Sequence, residues 1–207
     1  MKSVPADNNA FAEIVASSLS NWKAQCWKWD QAPSMGSLVS TTSNNRTLYA
    51  IVYAVQTGSD DPMRQPIAYQ KTDEQLHQEQ PQIFEFLQTI CSCLPLGYEE
   101  NGKFFYHLPP QPPKIHTFVL NPDQEQKSRF LDKDNYLPSL ISNATGLATV
   151  DELLLGLIRE QCTLASWSTD RLQSFFKAYA QSAGTDYRHL RTLIERALSL
   201  VKQTQAR

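Results

Sequence analysis

The segment from residue 11 to residue 66 constrains the fold of this chain more than any other feature. It contains closely spaced β-strand patterns and ends in the turn-rich run TGSDDPMRQP at residues 57–66. Trp22, Ala24 and Cys26 alternate with polar neighbours, as in a half-buried strand, whereas residues 48–55 are apolar on both faces, as in a strand covered from both sides. Short strands at this spacing favour a small closed or nearly closed sheet.

Composition indicates a folded protein, and the N-terminal residues predict a reducing compartment in which disulfides are improbable. The chain has 207 residues, of which 41% are hydrophobic, enough for one large domain or two small ones. No apolar run approaches the roughly 20 residues of a membrane span, so we expect no membrane partner. Residues 1–9 are polar and lack a signal-peptide apolar segment, which predicts a cytoplasmic protein. We expect the four cysteines to be packed thiols: Cys26, Cys91, Cys93 and Cys162.

The hydrophobic pattern changes near residue 120, and this change predicts an α+β fold with two parts. Residues 10–120 are predicted to form a small antiparallel β-barrel of about six strands, and residues 121–207 a C-terminal α-helical region. The predicted strands cover residues 22–29, 37–42, 48–56, 86–96, 104–108 and 115–119.

The helical region is predicted to start with two short helices, at residues 123–132 and 135–141. Three amphipathic helices follow: the first begins at the capping-box pattern of residues 149–152, the second ends at Gly184, and the third begins near Tyr187. Amphipathic helices need a partner surface, so we expect one core that covers the barrel or stands beside it. The side chains expected in it are Leu153, Leu157, Phe175, Phe176, Leu190 and Ile194.

A helical insertion is predicted at residues 72–87, within the β region. Thr72 is a plausible helix start, and Pro81 is a plausible first residue of a second short helix. Residues 71–100 carry six carboxylates against the single cation Lys71. An acidic surface repels phosphate backbones, which argues against nucleic acid as a partner.

Recognisable catalytic, cofactor and metal motifs are absent from the sequence. Residues 97–104, GYEENGKF, match the first seven positions of a phosphate-binding loop, but Phe104 has no hydroxyl for magnesium. Asn101 and Gly102 predict a tight β-hairpin turn there instead. Cys91 and Cys93 would lie on one strand face, but no second Cys/His pair has zinc-site spacing. We therefore predict no catalytic residues, no cofactor and no metal.

The candidate ligand- or partner-binding residues lie in and after the turn-rich run. They are Gly58, Asp60, Asp61, Arg64 and Tyr69. Gly58 is predicted to adopt a backbone conformation that costs other residues energy, so that Gly58→Val would destabilise the barrel by about 1 to 3 kcal/mol. Asp60, Asp61 and Arg64 offer charges to a ligand, although an acidic turn before proline more often organises its own backbone.

Several long strings resemble a cyanobacterial group of HAS-barrel proteins. They are EIVASSLSNWKAQCW (13–27), TGSDDP (57–62), AYQKT (68–72), EQPQIFEFL (79–87) and PPKIH (112–116). The name joins the HerA helicase with ATP synthase, whose motor subunits carry a small six-stranded N-terminal barrel. The resemblance covers roughly residues 10–120. It implies a barrel that helps to form an oligomeric ring or docks a partner, with catalysis in a following ATPase domain, for which the helical region here is too short.

Two function classes follow from these observations. The favoured hypothesis is a non-catalytic interaction or assembly module that docks a protein partner, with a ring-forming ATPase as one such partner. The alternative is a small-ligand-binding protein or an enzyme whose site lies between the 58–66 loop and the acidic insertion. A pocket with convergent polar groups would favour the alternative, and an exposed apolar patch would favour docking. Homo-oligomer formation stays open.

Overall fold

The computed structural model describes residues 9–61, 63, 66–144, 150–164, 167–184 and 186–205. Its strands form one antiparallel sheet in the order β2-β1-β7-β3-β4-β5-β6, and β2 also pairs with β5. This second pairing closes a six-stranded barrel and leaves β6 outside it. The strands are β1 Ala10–Ser17, β2 Trp22–Cys26, β3 Leu38–Ser43, β4 Arg46–Ser59, β5 Leu87–Glu100, β6 Lys103–Phe105 and β7 Phe118–Leu120. The predicted α+β fold with a small antiparallel barrel is confirmed.

The predicted strands omit β1, and the strand predicted at 104–108 corresponds to β6, which lies outside the barrel. The boundaries of the other strands differ from the predicted ones mainly at β4 and β5. These strands pair with each other from Thr47–Glu99 to Ser59–Leu87, so the ladder continues through residues that the sequence assigned to a loop. The strands predicted at 104–108 and 115–119 are reduced to Lys103–Phe105 and Phe118–Leu120. Long-range pairing, which local composition does not reveal, decides where each strand ends.

The barrel encloses its own apolar core. Ile14, Trp22 and Leu48 are fully or almost fully buried there. Cys91 and Cys93, two positions apart on β5, point into the same interior, as the strand period requires. The barrel cysteines are therefore packed thiols, as expected.

The helical elements follow the predicted order. They are α1 Asp73–Glu79, the 3-10 helix η1 Pro81–Phe86, α2 Gln124–Leu131, α3 Leu137–Asn143, α4 Val150–Leu164, α5 Thr169–Ala183 and α6 Tyr187–Gln205. Gly184 ends α5 with a φ of 59°, the left-handed conformation that glycine tolerates best. The capping position predicted at Thr149 lies outside the described residues.

A second core joins the helices to the outer face of the barrel. Leu38, Tyr49 and Ile51 from the barrel belong to the same buried cluster as residues of α3, α4 and α5. All six side chains expected to meet in the helical core belong to this cluster or pack against it: Leu153, Leu157, Phe175, Phe176, Leu190 and Ile194. The helical core therefore covers part of the barrel rather than standing beside it.

Two partly buried ion pairs connect elements of the helical region. Lys127, itself buried, donates from Nζ to Glu160 Oε1 at 2.6 Å and so links α2 to α4. Arg171 of α5 donates to both carboxylate oxygens of the buried Asp134. Within the described part of the chain, none of the helices is long and apolar enough to cross a bilayer.

Candidate functional site

The β4–β5 hairpin continues past the point where its neighbours stop. β3 pairs with β4 only as far as Leu38 and Ile51, and just beyond this pair the Val52 N–H donates to the Ser37 carbonyl at 3.0 Å. β2 pairs with β5 only between residues 90 and 93. The hairpin tip, formed by residues 53–59 of β4 and 87–89 of β5, therefore projects beyond the closed part of the barrel.

An apolar groove of about 400 Å³ lies at this tip, between the end of the hairpin, the returning loop and the insertion. It is lined by Ser59, Pro66, Ile67, Tyr69, Leu76, Ile83, Phe84, Phe86 and Leu87. Ile67 is 68% exposed and Phe86 is 39% exposed. Large apolar side chains with this much exposure, gathered in one concave surface, are typical of a binding site.

The insertion that forms one wall is held by its own caps and by aromatic stacking. Thr72 and Gln75 form a reciprocal capping box at the start of α1. The Phe84 ring stacks on His77 at 3.9 Å between centroids and on Trp29 at 5.7 Å. Because Trp29 follows β2, this stacking connects the insertion to the barrel and positions the apolar residues of η1 at the groove.

The loop and the insertion that border the groove, here called its rim, are rich in acidic side chains. Carboxylates come from the loop after β4 and from the insertion: Asp60, Asp61, Asp73, Glu74, Glu79 and Glu85. Hydrogen bonds from its own backbone N–H and from Thr72 hold the pKa of Glu74 below its ordinary value. The cation Lys71 is paired with Glu79. The described rim is therefore predominantly negative at neutral pH.

The structure contradicts the conformation predicted for Gly58. This glycine lies within β4, opposite Gln88, and is not among the residues with positive φ. A Cβ at this position would meet no atom within 4 Å. Because the ladder with β5 continues through Thr57, Gly58 and Ser59, this part of the run is extended strand rather than a turn. The predicted backbone strain at Gly58 was therefore wrong, and the destabilisation expected for Gly58→Val loses its stated cause.

The other described candidate residues lie either at the groove or in the turn after β4. Tyr69 lines the groove, whereas Asp60 lies at the rim, where its N–H donates to the Phe86 carbonyl at 2.9 Å. The Asp61 carboxylate accepts from the Met63 N–H at 2.9 Å, so it organises its own turn. Arg64 lies outside the described residues.

Sequence reasoning missed most of the apolar lining. Leu76, Ile83 and Phe84 form the open face of the insertion, and Ile67 lies in the returning loop. The strings around them, QLHQ and QIFEF, did contain the signal, because apolar residues in such short helices must face either the barrel or solvent. The local sequence pattern does not show whether these apolar residues face the barrel or solvent.

The groove lining offers little for catalysis. Among the described residues that line it, only Ser59 and Tyr69 carry a polar side-chain group, a hydroxyl in each case. Neither has a histidine or carboxylate from the same lining beside it to act as a base. The arrangement can bury apolar side chains and hold a hydroxyl contact, and it offers no activated nucleophile.

The phosphate-loop-like run forms a hairpin, as predicted. Glu100 pairs with Lys103, while Asn101 and Gly102 have φ values of 52° and 74°. Two consecutive positive φ angles define the tight turn that Asn-Gly favours. A Cβ at Gly97 would lie 2.3 Å from the Phe105 carbonyl oxygen, so this glycine serves the close approach of β6. The run is strand and turn, without the helix N-terminus that a phosphate site requires.

The cysteine cluster inside the barrel is a packing feature. Cys26 Sγ and Cys91 Sγ lie 3.4 Å apart. Burial raises the pKa of Cys93 to about 12, while the hydrogen bond between Cys26 and Cys91 lowers the pKa of Cys26. In the described ranges, no group of three or more His, Cys, Asp or Glu side chains is arranged to hold a metal ion.

Comparison with known proteins assigns the chain to no family. No protein-family model matches the chain, and no curated protein matches its sequence significantly.

Proposed function

We propose that this chain is a non-catalytic protein-interaction module that docks a protein partner at the hairpin-tip groove. The single observation that carries this proposal is the groove itself, which is apolar, open at the surface and poor in polar groups. Exposed apolar side chains of this size are costly in water unless another surface covers them. A protein segment with apolar side chains would cover them.

The resemblance to HAS-barrel proteins supports a partner of a particular kind. In the motor proteins of that group, the barrel is implied to build a ring or to dock a partner. The chain would accordingly be accessory to a ring-forming ATPase, with the groove as its contact. This assignment of the partner rests on the resemblance, whereas the docking proposal rests on the groove.

A small apolar ligand is the second candidate occupant, because a groove of about 400 Å³ lies within the range of small-molecule sites. The hydroxyl of Tyr69 or Ser59 would then orient it. An enzymatic version of this alternative would require turnover of a substrate by the purified chain alone.

Affinity purification from lysate of the source organism tests the docking proposal. The wild-type chain is compared with Ile67→Gln, which removes an exposed apolar side chain of the groove without adding charge. The matched control is Ile115→Gln, which changes an exposed isoleucine outside the groove. One protein should be retained by wild type and by the control, and retained about fivefold less by Ile67→Gln. Equal retention by all three chains would refute docking at the groove.

A further inference from the structure

The outer side of the hairpin tip is an open strand edge. The pairing of β3 with β4 ends where Gly36 N–H donates to the Val52 carbonyl at 2.8 Å. A β-bulge follows between Val52 and Ala54, and from Ala54 to Ser59 β4 pairs with β5 among the described strands. Residues 54–57 are exposed. Residues 54–59, AVQTGS, contain no charge and no proline, the features that usually protect an edge.

The hydrogen-bond register shows which backbone groups face the open side. The Asp60 N–H donates to the Phe86 carbonyl at 2.9 Å, so this pair faces inward. Antiparallel pairs alternate, hence Gly58, Gln56 and Ala54 also face β5. The N–H and C=O groups of Val55 and Thr57 therefore point outward. Among the described residues, no backbone hydrogen bond outside the β4–β5 ladder involves Val55 or Thr57.

The open edge and the groove share one face of the hairpin. Val55 is opposite Cys91, Thr57 is opposite Thr89, and Ser59 is opposite Leu87. Thr57 Oγ1 and Thr89 Oγ1 lie 2.7 Å apart on this face. Ser59 and Leu87, two positions farther along, are part of the groove lining. A strand added to this edge would direct alternate side chains to this face, and those beyond Ser59 would reach the groove.

The negative charge beside the open edge favours some partner segments over others. The loop and insertion beside it carry the acidic rim. The edge residues themselves are uncharged, so a second copy of this edge would offer no cation to that rim. A segment with Lys or Arg near its apolar residues is complementary to the rim.

We propose that the open edge of β4 binds an extended, basic segment of a partner protein as an additional strand, with an apolar side chain in the hairpin-tip groove. This inference rests on the proposed function and specifies how the partner is held. Backbone hydrogen bonds to Val55 and Thr57 supply affinity, while the groove and the acidic rim supply sequence preference.

Amide hydrogen exchange measured by NMR on the full chain tests this directly, with the synthetic peptide KITVKLK as the probe. Exchange at Val55 and Thr57 should slow by about tenfold when peptide is bound. Gln56, whose N–H already faces β5, is the internal control and should change little. The same peptide with N-methyl groups on alternate amides should lose this protection, and EITVELE should bind about tenfold more weakly.

Two variants at one position provide the matched control. Thr57→Pro removes the outward N–H at an edge position where proline is tolerated. Thr57→Val keeps the backbone N–H and removes only the hydroxyl with its contact to Thr89. Thr57→Pro loses the same hydroxyl contact, so the two variants differ in the outward N–H. Peptide binding should survive Thr57→Val and fall about tenfold in Thr57→Pro. Thermal melts of both variants show whether each is folded, and the N-methylated peptide tests the edge in the wild-type chain.

Four contrary outcomes would each refute one part of the inference. No slowing at Val55 and Thr57 with peptide at about 1 mM would overturn strand addition. Equal binding of KITVKLK and EITVELE would overturn the basic occupant. Protection that rises with protein concentration without peptide would identify a second copy as the occupant and overturn the partner. If the captured protein depends on Ile67 but binds Thr57→Pro and Thr57→Val equally, docking stands and the edge inference falls.

Discussion

Gly36 and Gly156 meet backbone to backbone where α4 crosses the barrel. A Cβ on Gly36 would lie 2.3 Å from the Gly156 carbonyl carbon, and a Cβ on Gly156 would lie 2.8 Å from the Met35 carbonyl oxygen. Gly36 also has a φ of 91°, in the region that favours glycine. The helical region therefore approaches the barrel as closely as two backbones allow.

Gly156→Ala should destabilise the protein by about 1 to 3 kcal/mol, because the new methyl group must push the segment around Met35 away from α4. Alanine in a helix is otherwise favoured over glycine by about 1 kcal/mol. A net loss of stability in Gly156→Ala would therefore come from the close contact between α4 and the segment around Met35. Gly58→Ala is the matched control, since a Cβ there meets open space. Chemical denaturation measures both, and a stability of Gly156→Ala at or above wild type would contradict this contact.

Asp134→Asn should destabilise the protein by about 2 to 4 kcal/mol, because it leaves the guanidinium of Arg171 without its buried charge partner. Asn tolerates the positive φ of 52° at this position, so the backbone preference is kept. The control is Glu195→Gln, which alters an exposed pair with Arg191 and should leave the stability nearly unchanged. Equal losses in the two variants would show that Asp134 does not fasten α5.

The local signals of this chain were readable from sequence, and the long-range ones were not. Asn101 and Gly102 form the expected hairpin turn, Thr72 caps α1 and Gly184 ends α5. Each depends on the conformational preference or side-chain hydrogen bonds of residues within one turn. The Gly58 error arose because a glycine followed by Ser59 and Asp60 has the composition of a turn, while pairing with Gln88 keeps it in a strand.

The candidate site was predicted only in its general location. Tyr69 lies in the groove, but the groove also requires Ile67 from the loop and Leu76 and Ile83 from the insertion. Stacking of Phe84 on Trp29 sets the position of that insertion, and these residues lie far apart in sequence. No local pattern specifies such a contact, which explains why the open apolar face was not anticipated.

Alkylation of the native chain at pH 8 should modify Cys162 before the three barrel cysteines. Cys162 is half-buried, whereas Cys26, Cys91 and Cys93 are buried and Cys93 has its pKa raised to about 12. Thiolates are the reactive form, so both burial and the raised pKa protect Cys93, whereas burial alone protects Cys26, whose pKa is lowered. Peptide mapping measures the order, and all four should react alike in denaturant. Early modification of Cys91 or Cys93 would show that the barrel opens readily.

ATP with magnesium should not bind at the hairpin, because residues 97–104 form two strands and a turn. Lys103→Ala should leave the calorimetric signal unchanged, since this lysine lies at the turn without a phosphate cradle. Micromolar ATP affinity that disappears in Lys103→Ala would overturn this reading of the run.

Site-specific photo-crosslinking tests the central claim most directly. A photoreactive amino acid replaces Ile67 in the groove or, as the control, Ile115, and each chain is irradiated in lysate of the source organism. We expect one protein to be crosslinked from position 67 and not from position 115, and the crosslinked peptide to be an extended segment rich in Lys or Arg. The same products from both positions, or none from position 67, would contradict a docking site at the hairpin tip.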